Sequence, residues 1–148
     1  MATISLIKQK DKTGCGIACV AMIANRSYEE MKDAFAEILN WSTRREEYYT
    51  LAKDLGKALK KYGIRAKEKK SGCWDDIQGT AIVGVNRRKK HFHWVVVVKD
   101  NHRFLILDPE KNEVRCGKRW ADKRNGYSHS QKSTTYLSIP INATRIRI

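Results

Sequence analysis

Gly14-Cys15-Gly16-Ile17-Ala18-Cys19-Val20-Ala21-Met22-Ile23-Ala24 is apolar on every side and holds no proline. A helix without a polar stripe has nowhere to lie except inside a core. The stretch therefore predicts a buried helix over Cys15–Ala24, with a cysteine in its first turn and a glycine on either side of that cysteine. Asn25 and Arg26 end it. Ser27-Tyr28-Glu29-Glu30 then has the form of a capping box, in which the Ser hydroxyl and the Glu carboxylate satisfy free backbone donors of a second helix, running to about Leu39. A third helix is expected from Ser42 or Thr43 to the stop at Gly63.

Beyond Gly63 the periodicity changes. Ile64–Lys67, Thr80–Val85, Phe92–Lys99, Arg103–Leu107, Thr134–Ile139 and Ala143–Ile148 are rich in β-formers and bounded by turn residues. Asp100-Asn101 reads as the turn of a hairpin, and Thr3–Ile7 as a short strand ahead of the first helix. Gly117 to Ser133 is polar and basic and reads as a long loop. Helices first and strands second is the order of an α+β domain, with N-terminal helices packed on a C-terminal antiparallel sheet. At 148 residues, with no repeat and no linker, the chain is expected to form one domain over 1–148.

Thirty basic against sixteen acidic side chains give a net charge of +14. The excess is uneven: +4 up to Asn86 and +10 from Arg87 onward. Such a bias suits an acidic partner or nucleic acid met through the basic C-terminal half, and equally suits simple solubility. Arg87–Lys90 and Lys118–Arg124 are the candidate phosphate contacts, with Trp120 and Tyr127 nearby for stacking on bases. No run of apolar residues is long enough to span a membrane. Met1–Lys12 lacks the apolar core of a secretory signal, so a cytoplasmic chain, or an effector exported without a signal peptide, is expected. The four cysteines, Cys15, Cys19, Cys73 and Cys116, do not pair as a zinc site would need, so neither metal nor cofactor is expected.

A cysteine at a helix N-terminus has a physical reason to react: the free N–H groups and the helix dipole favour its thiolate. Flanking glycines let a substrate approach closely. Read alone, Cys15 could equally be a small buried hydrophobe, as Cys19 one turn later is taken to be. His93 opens the run His-Trp-Val-Val-Val-Val, and a strand of that kind holds an imidazole rigidly. Asp108 ends the next strand, before Pro109. If those two strands pair, Asp108 lies beside His93 and can fix its tautomer. His91 is a rival base, since residues two apart on a strand share a face; His102 and His129 read as solvent-facing.

Taken together, Gln9-x5-Cys15-Gly16-x-Ala18-Cys19-x-Ala21-Met22-Ile23, then His93-Trp-Val-Val, then Leu107-Asp108-Pro109 resembles the bacteriocin-processing, double-glycine leader peptidases. The resemblance reaches from Lys8 to Pro109, and Ile17 stands where that family usually has proline. It implies a papain-like fold and a Cys-His-Asp triad, with Cys15 as nucleophile, His93 as base and Asp108 as orienting acid. It also implies that Gln9 and the Cys15 backbone N–H form the oxyanion hole. The expected function is a cysteine peptidase acting on a peptide or protein substrate, with acyl transfer and deamidation open to the same groups. A basic nucleic-acid-binding or RNA-cleaving effector on the same fold is the alternative, and an inactive binding domain is a third.

Overall fold

The computed structural model describes residues 2–71, 74–88, 91–100, 103–117, 134–141 and 143–148. After strand β1 (Ala2–Ser5) come three helices, α1 (Cys15–Ala24), α2 (Tyr28–Leu39) and α3 (Ala52–Lys61). The strands follow: β2 (Lys67–Ser71), β3 (Thr80–Arg88), β4 (His91–Asp100), β5 (Arg103–Asp108), β6 (Glu113–Gly117), β7 (Thr134–Ile139) and β8 (Ala143–Arg147).

Helix α1 is the centre of the core. Nine of its ten residues are buried, as its uniform apolarity requires. It ends at Asn25, and α2 ends at Asn40; both asparagines adopt the left-handed conformation (φ 55° and 53°) that turns the chain out of a helix. Ser27 caps α2 by accepting the Glu30 N–H. Strands β2 to β7 form one antiparallel sheet in the order β2-β7-β3-β4-β5-β6. Ile82, Trp94, Val96, Val98, Leu107 and Leu137 join the helices in the main core. The alternate residues Ala81, Val83, Val95, Val97 and Ile106 belong to a second buried cluster with Trp74 and Ile77. The architecture is the expected α+β one, three helices on an antiparallel sheet.

Local boundaries differ. The third helix starts at Ala52, ten residues after Ser42, because the intervening polar groups are drawn to other elements. Tyr48 N–H donates to Thr13 Oγ1 (2.7 Å), and the Thr50 carbonyl accepts the Trp94 indole N–H (3.0 Å). Tertiary partners thus outweigh helical propensity there. The strand after α3 is Lys67–Ser71 rather than Ile64–Lys67. Strand β6, unread in the sequence, pairs with β5. Strand β8 leaves the main sheet and pairs in parallel with β1, which buries Ile4 completely.

Hairpin β4–β5 is the one the turn residues predicted, with Asp100 opposite Arg103 and Val96 opposite Leu107. Of the stretch read as a loop, residues 118–133 lie outside the described residues. So do Cys73, Lys89, Lys90, His102, Trp120, Tyr127 and His129. The side chains of Arg87, Arg88 and His91 likewise lie outside what is described. No helix among the described residues is long and apolar enough to cross a membrane.

Candidate active site

Cys15 is the first residue of α1 and is 6% exposed. Gly14 occupies the N-cap position without a capping side chain, and the first turn holds no acidic residue. The N–H groups at this helix end therefore meet no carboxylate from their own turn. Both flanking glycines are forced by neighbours. A Cβ on Gly14 would lie 2.0 Å from Tyr28 Oη, and one on Gly16 would lie 2.0 Å from Thr50 Oγ1. Tyr28 Oη in turn donates to Asp11 Oδ2 (2.7 Å), and Lys32 Nζ sits 3.0 Å from the same oxygen. Burial, and then that hydrogen bond, push the Tyr28 phenol well above its ordinary range, so it stays a donor. This cluster ties the segment before Cys15 to α2.

Cys15 lies against the start of strand β4. The backbone N–H of Trp94 donates to its Sγ at 3.4 Å, and the neighbouring imidazole, that of His93, is hydrogen-bonded to the same cysteine. On its other side, His93 Nε2 lies 3.0 Å from Asp108 Oδ1, with side-chain exposures of 16% and 1%. Asp108 Oδ1 also accepts the N–H groups of Glu110 (2.9 Å) and Lys111 (3.2 Å). The carboxylate is thus fixed by the turn that follows its own strand. Burial alone would lower the His93 pKa. Hydrogen bonds to Asp108 and Cys15, with the attraction of both for a cation, outweigh that penalty and raise it from 6.5 to about 10. The imidazole is therefore held as its cation across neutral pH.

Gln9 stands beside this group. Its backbone N–H donates to the Pro109 carbonyl (3.0 Å), and its side chain is buried. Both hydrogens of its amide are engaged, by the carbonyls of Asp11 (3.0 Å) and Lys12 (2.9 Å), while Oε1 is buried with no hydrogen-bond partner among the described residues. Cys19, one turn along α1, is fully buried. Desolvation first, then the negative character of Cys15 and Asp108, raise its thiol far above the ordinary value, so it stays protonated.

The fold thus brings Cys15, His93 and Asp108 into direct contact and sets Gln9 against the turn after Asp108. Reading the sequence missed Glu110, whose Oε2 lies 3.7 Å from His93 Nδ1, and missed Tyr28, Asp11 and Thr50 behind the nucleophile. Only the fold reveals Thr50. The same holds for Glu110, which the turn after Asp108 carries to the imidazole. Among the described residues no group of His, Cys, Asp or Glu is arranged to hold a metal ion.

Similar proteins share this fold. The peptidase domain of Streptococcus ComA, a bifunctional ABC transporter involved in a quorum-sensing pathway, matches with a TM-score of 0.60 at 21% identity. That match covers 90% of this chain and 96% of that domain. A double-glycine-motif protease from an AMS/PCAT transporter, solved in complex with the leader peptide, matches with a TM-score of 0.62 at 19% identity. It covers 93% of this chain and 92% of the other. At these identities the likeness is one of fold. No curated protein matches the sequence. Residues 3–123 match the model of the peptidase C39 family, a span that holds Gln9, Cys15, His93 and Asp108, and the chain accordingly belongs to that family of cysteine peptidases.

Proposed function

We propose that the chain hydrolyses a peptide bond with Cys15 as nucleophile, His93 as general acid and base, and Asp108 as the acid that orients His93. One observation carries this reading: the His93 imidazole is hydrogen-bonded to both Cys15 and Asp108 at the uncapped start of α1. In the resting state, an imidazolium beside the sulfur stabilises a thiolate. The thiolate adds to the scissile carbonyl, and the new oxyanion is met by the backbone N–H of Cys15 at the start of α1. Gln9 is the second donor in this reading, and it must release one amide hydrogen from the Asp11 or Lys12 carbonyl to serve. The imidazolium then gives its proton to the departing amine, the C–N bond breaks, and a thioester remains on Cys15. Water attacks the thioester as the now neutral imidazole takes its proton, and the thiolate returns.

A peptide is the substrate we carry over from the solved relative that binds a leader peptide, and a Gly-Gly sequence before the scissile bond is the first motif to test. The purified chain, incubated with a synthetic peptide containing Gly-Gly, should yield two fragments by mass spectrometry. Cys15→Ala should stay folded and lower the rate by at least about three orders of magnitude. Equal cleavage by a folded Cys15→Ala variant would remove the proposal.

A further inference from the structure

Glu110 is placed by the turn that fixes Asp108, through its own backbone N–H on Asp108 Oδ1. Its carboxylate does not enter that network. Instead Oε2 reaches to 3.7 Å from His93 Nδ1, too far for a hydrogen bond but close enough for charge to be felt. Nε2 is held by Asp108, so Nδ1 is the nitrogen left to serve the sulfur and the leaving group. A leaving amine that receives a proton from Nδ1 must come within about 3 Å of it. The side chain borne by that amine's own residue then begins one carbon away, next to a carboxylate whose side chain is 65% exposed and can turn outward.

We infer that Glu110 forms a cation-accepting subsite for the residue on the leaving-group side of the scissile bond, and so favours Lys or Arg there. The subsite rests on the roles proposed above for Cys15 and His93. It is strongest in the acyl-enzyme: His93 has by then given up its proton, and Glu110 has lost its cationic neighbour. An incoming neutral amine whose side chain carries a positive charge then restores the balance.

The acyl-enzyme can be reached without a natural substrate. Gly-Gly p-nitrophenyl ester acylates the thiolate: the C–S bond forms, the ester C–O bond breaks, nitrophenolate leaves, and the imidazolium releases its proton to the leaving group or to water, so that His93 is neutral in the acyl-enzyme. The thioester is then split by water or by an added amine, whose nitrogen forms the amide bond as His93 takes its proton and the thiolate departs. With the full chain at low salt, transfer relative to hydrolysis is measured for lysinamide, norleucinamide and glutamamide. Lysinamide should exceed norleucinamide about three- to fivefold, the scale of a partly exposed charge pair, and glutamamide should fall below both. Glu110→Gln should bring the three acceptors within about twofold of one another, and Glu110→Lys should reverse their order.

A nitrophenolate burst that needs Cys15, followed by equal transfer to all three amines, overturns the subsite and leaves the catalytic roles standing. A lysine preference that survives Glu110→Gln also overturns it, since another group would be its source. A burst no larger than that of Cys15→Ala removes the catalytic roles, and the subsite with them.

Discussion

His93 sits between two groups that both favour its cation, and this decides how the site responds to mutation and to pH. In Asp108→Asn the backbone hydrogen bonds of the turn can persist, because an amide oxygen still accepts from Glu110 and Lys111, but the negative charge facing the imidazole is gone. The His93 pKa should fall toward its ordinary value and peptide cleavage by about two to four orders of magnitude, with the fold retained. Circular dichroism beside a rate measurement checks both halves, and a near-normal rate would show that Asp108 does not orient the base. The same geometry links to stability. Because folding raises the His93 pKa from 6.5 to about 10, the contribution is fully present below pH 6.5 and is lost as pH rises through about 10. Urea unfolding should therefore show wild type losing stability between those limits, and His93→Ala losing less. Parallel profiles for the two would contradict a folded-state imidazolium. At this scale much was legible. A cysteine opening an apolar helix, a histidine opening an apolar strand and an aspartate before proline each have a local chemical reason to stand out. Glu110 does not, because only the path of the turn after Asp108 brings it to the imidazole.

Among the elements, α1 and the irregular segment before α3 set how firmly the nucleophile is held. Gly16 is packed under Thr50, whose carbonyl is tied to the Trp94 indole, so the threonine cannot retreat freely. Gly16→Ala should cost about 1–3 kcal/mol by overpacking, and the cost should shrink when Thr50→Ala is made with it. Additive losses in a double-mutant cycle of urea titrations would mean the two positions do not bear on each other. Helix α1, helix α2 with its Ser27 cap, and the β4–β5 hairpin were readable because each has a local signature: uniform apolarity, a capping box, a turn between β-formers. The segment 42–51 was not. Its charged and aromatic residues suit a helix, and its true path is set by Thr13 and Trp94, far away in sequence. Nor could local pattern find β6, a short stretch of mixed polarity, or the parallel pairing of β8 with β1.

On the scale of the whole molecule, the candidate site is a seam between layers. Cys15 comes from the helices, while His93 and Asp108 come from the sheet. The α+β class followed from the order of helical and strand patterns along the chain. Which ends of the two layers meet did not, since that depends on how α1 docks on β4. The net charge of +14 was visible at once but points to no chemistry. Among the described residues it is seen as exposed lysines on α3 and β2, such as Lys57, Lys60, Lys67 and Lys69. Because the seam holds nucleophile and base together only when the layers are docked, thiol reactivity reports on the assembled site directly. The measurement is the pH dependence of iodoacetamide labelling, read by peptide mass spectrometry at Cys15, Cys19 and Cys116 in wild type and His93→Ala. An activated thiolate–imidazolium pair predicts that Cys15 labels rapidly already near pH ~6, well ahead of exposed Cys116 and buried Cys19, and that His93→Ala abolishes this lead. Labelling of Cys15 at that pH no faster than that of Cys116, or a lead that survives His93→Ala, would contradict the pairing of Cys15 with His93.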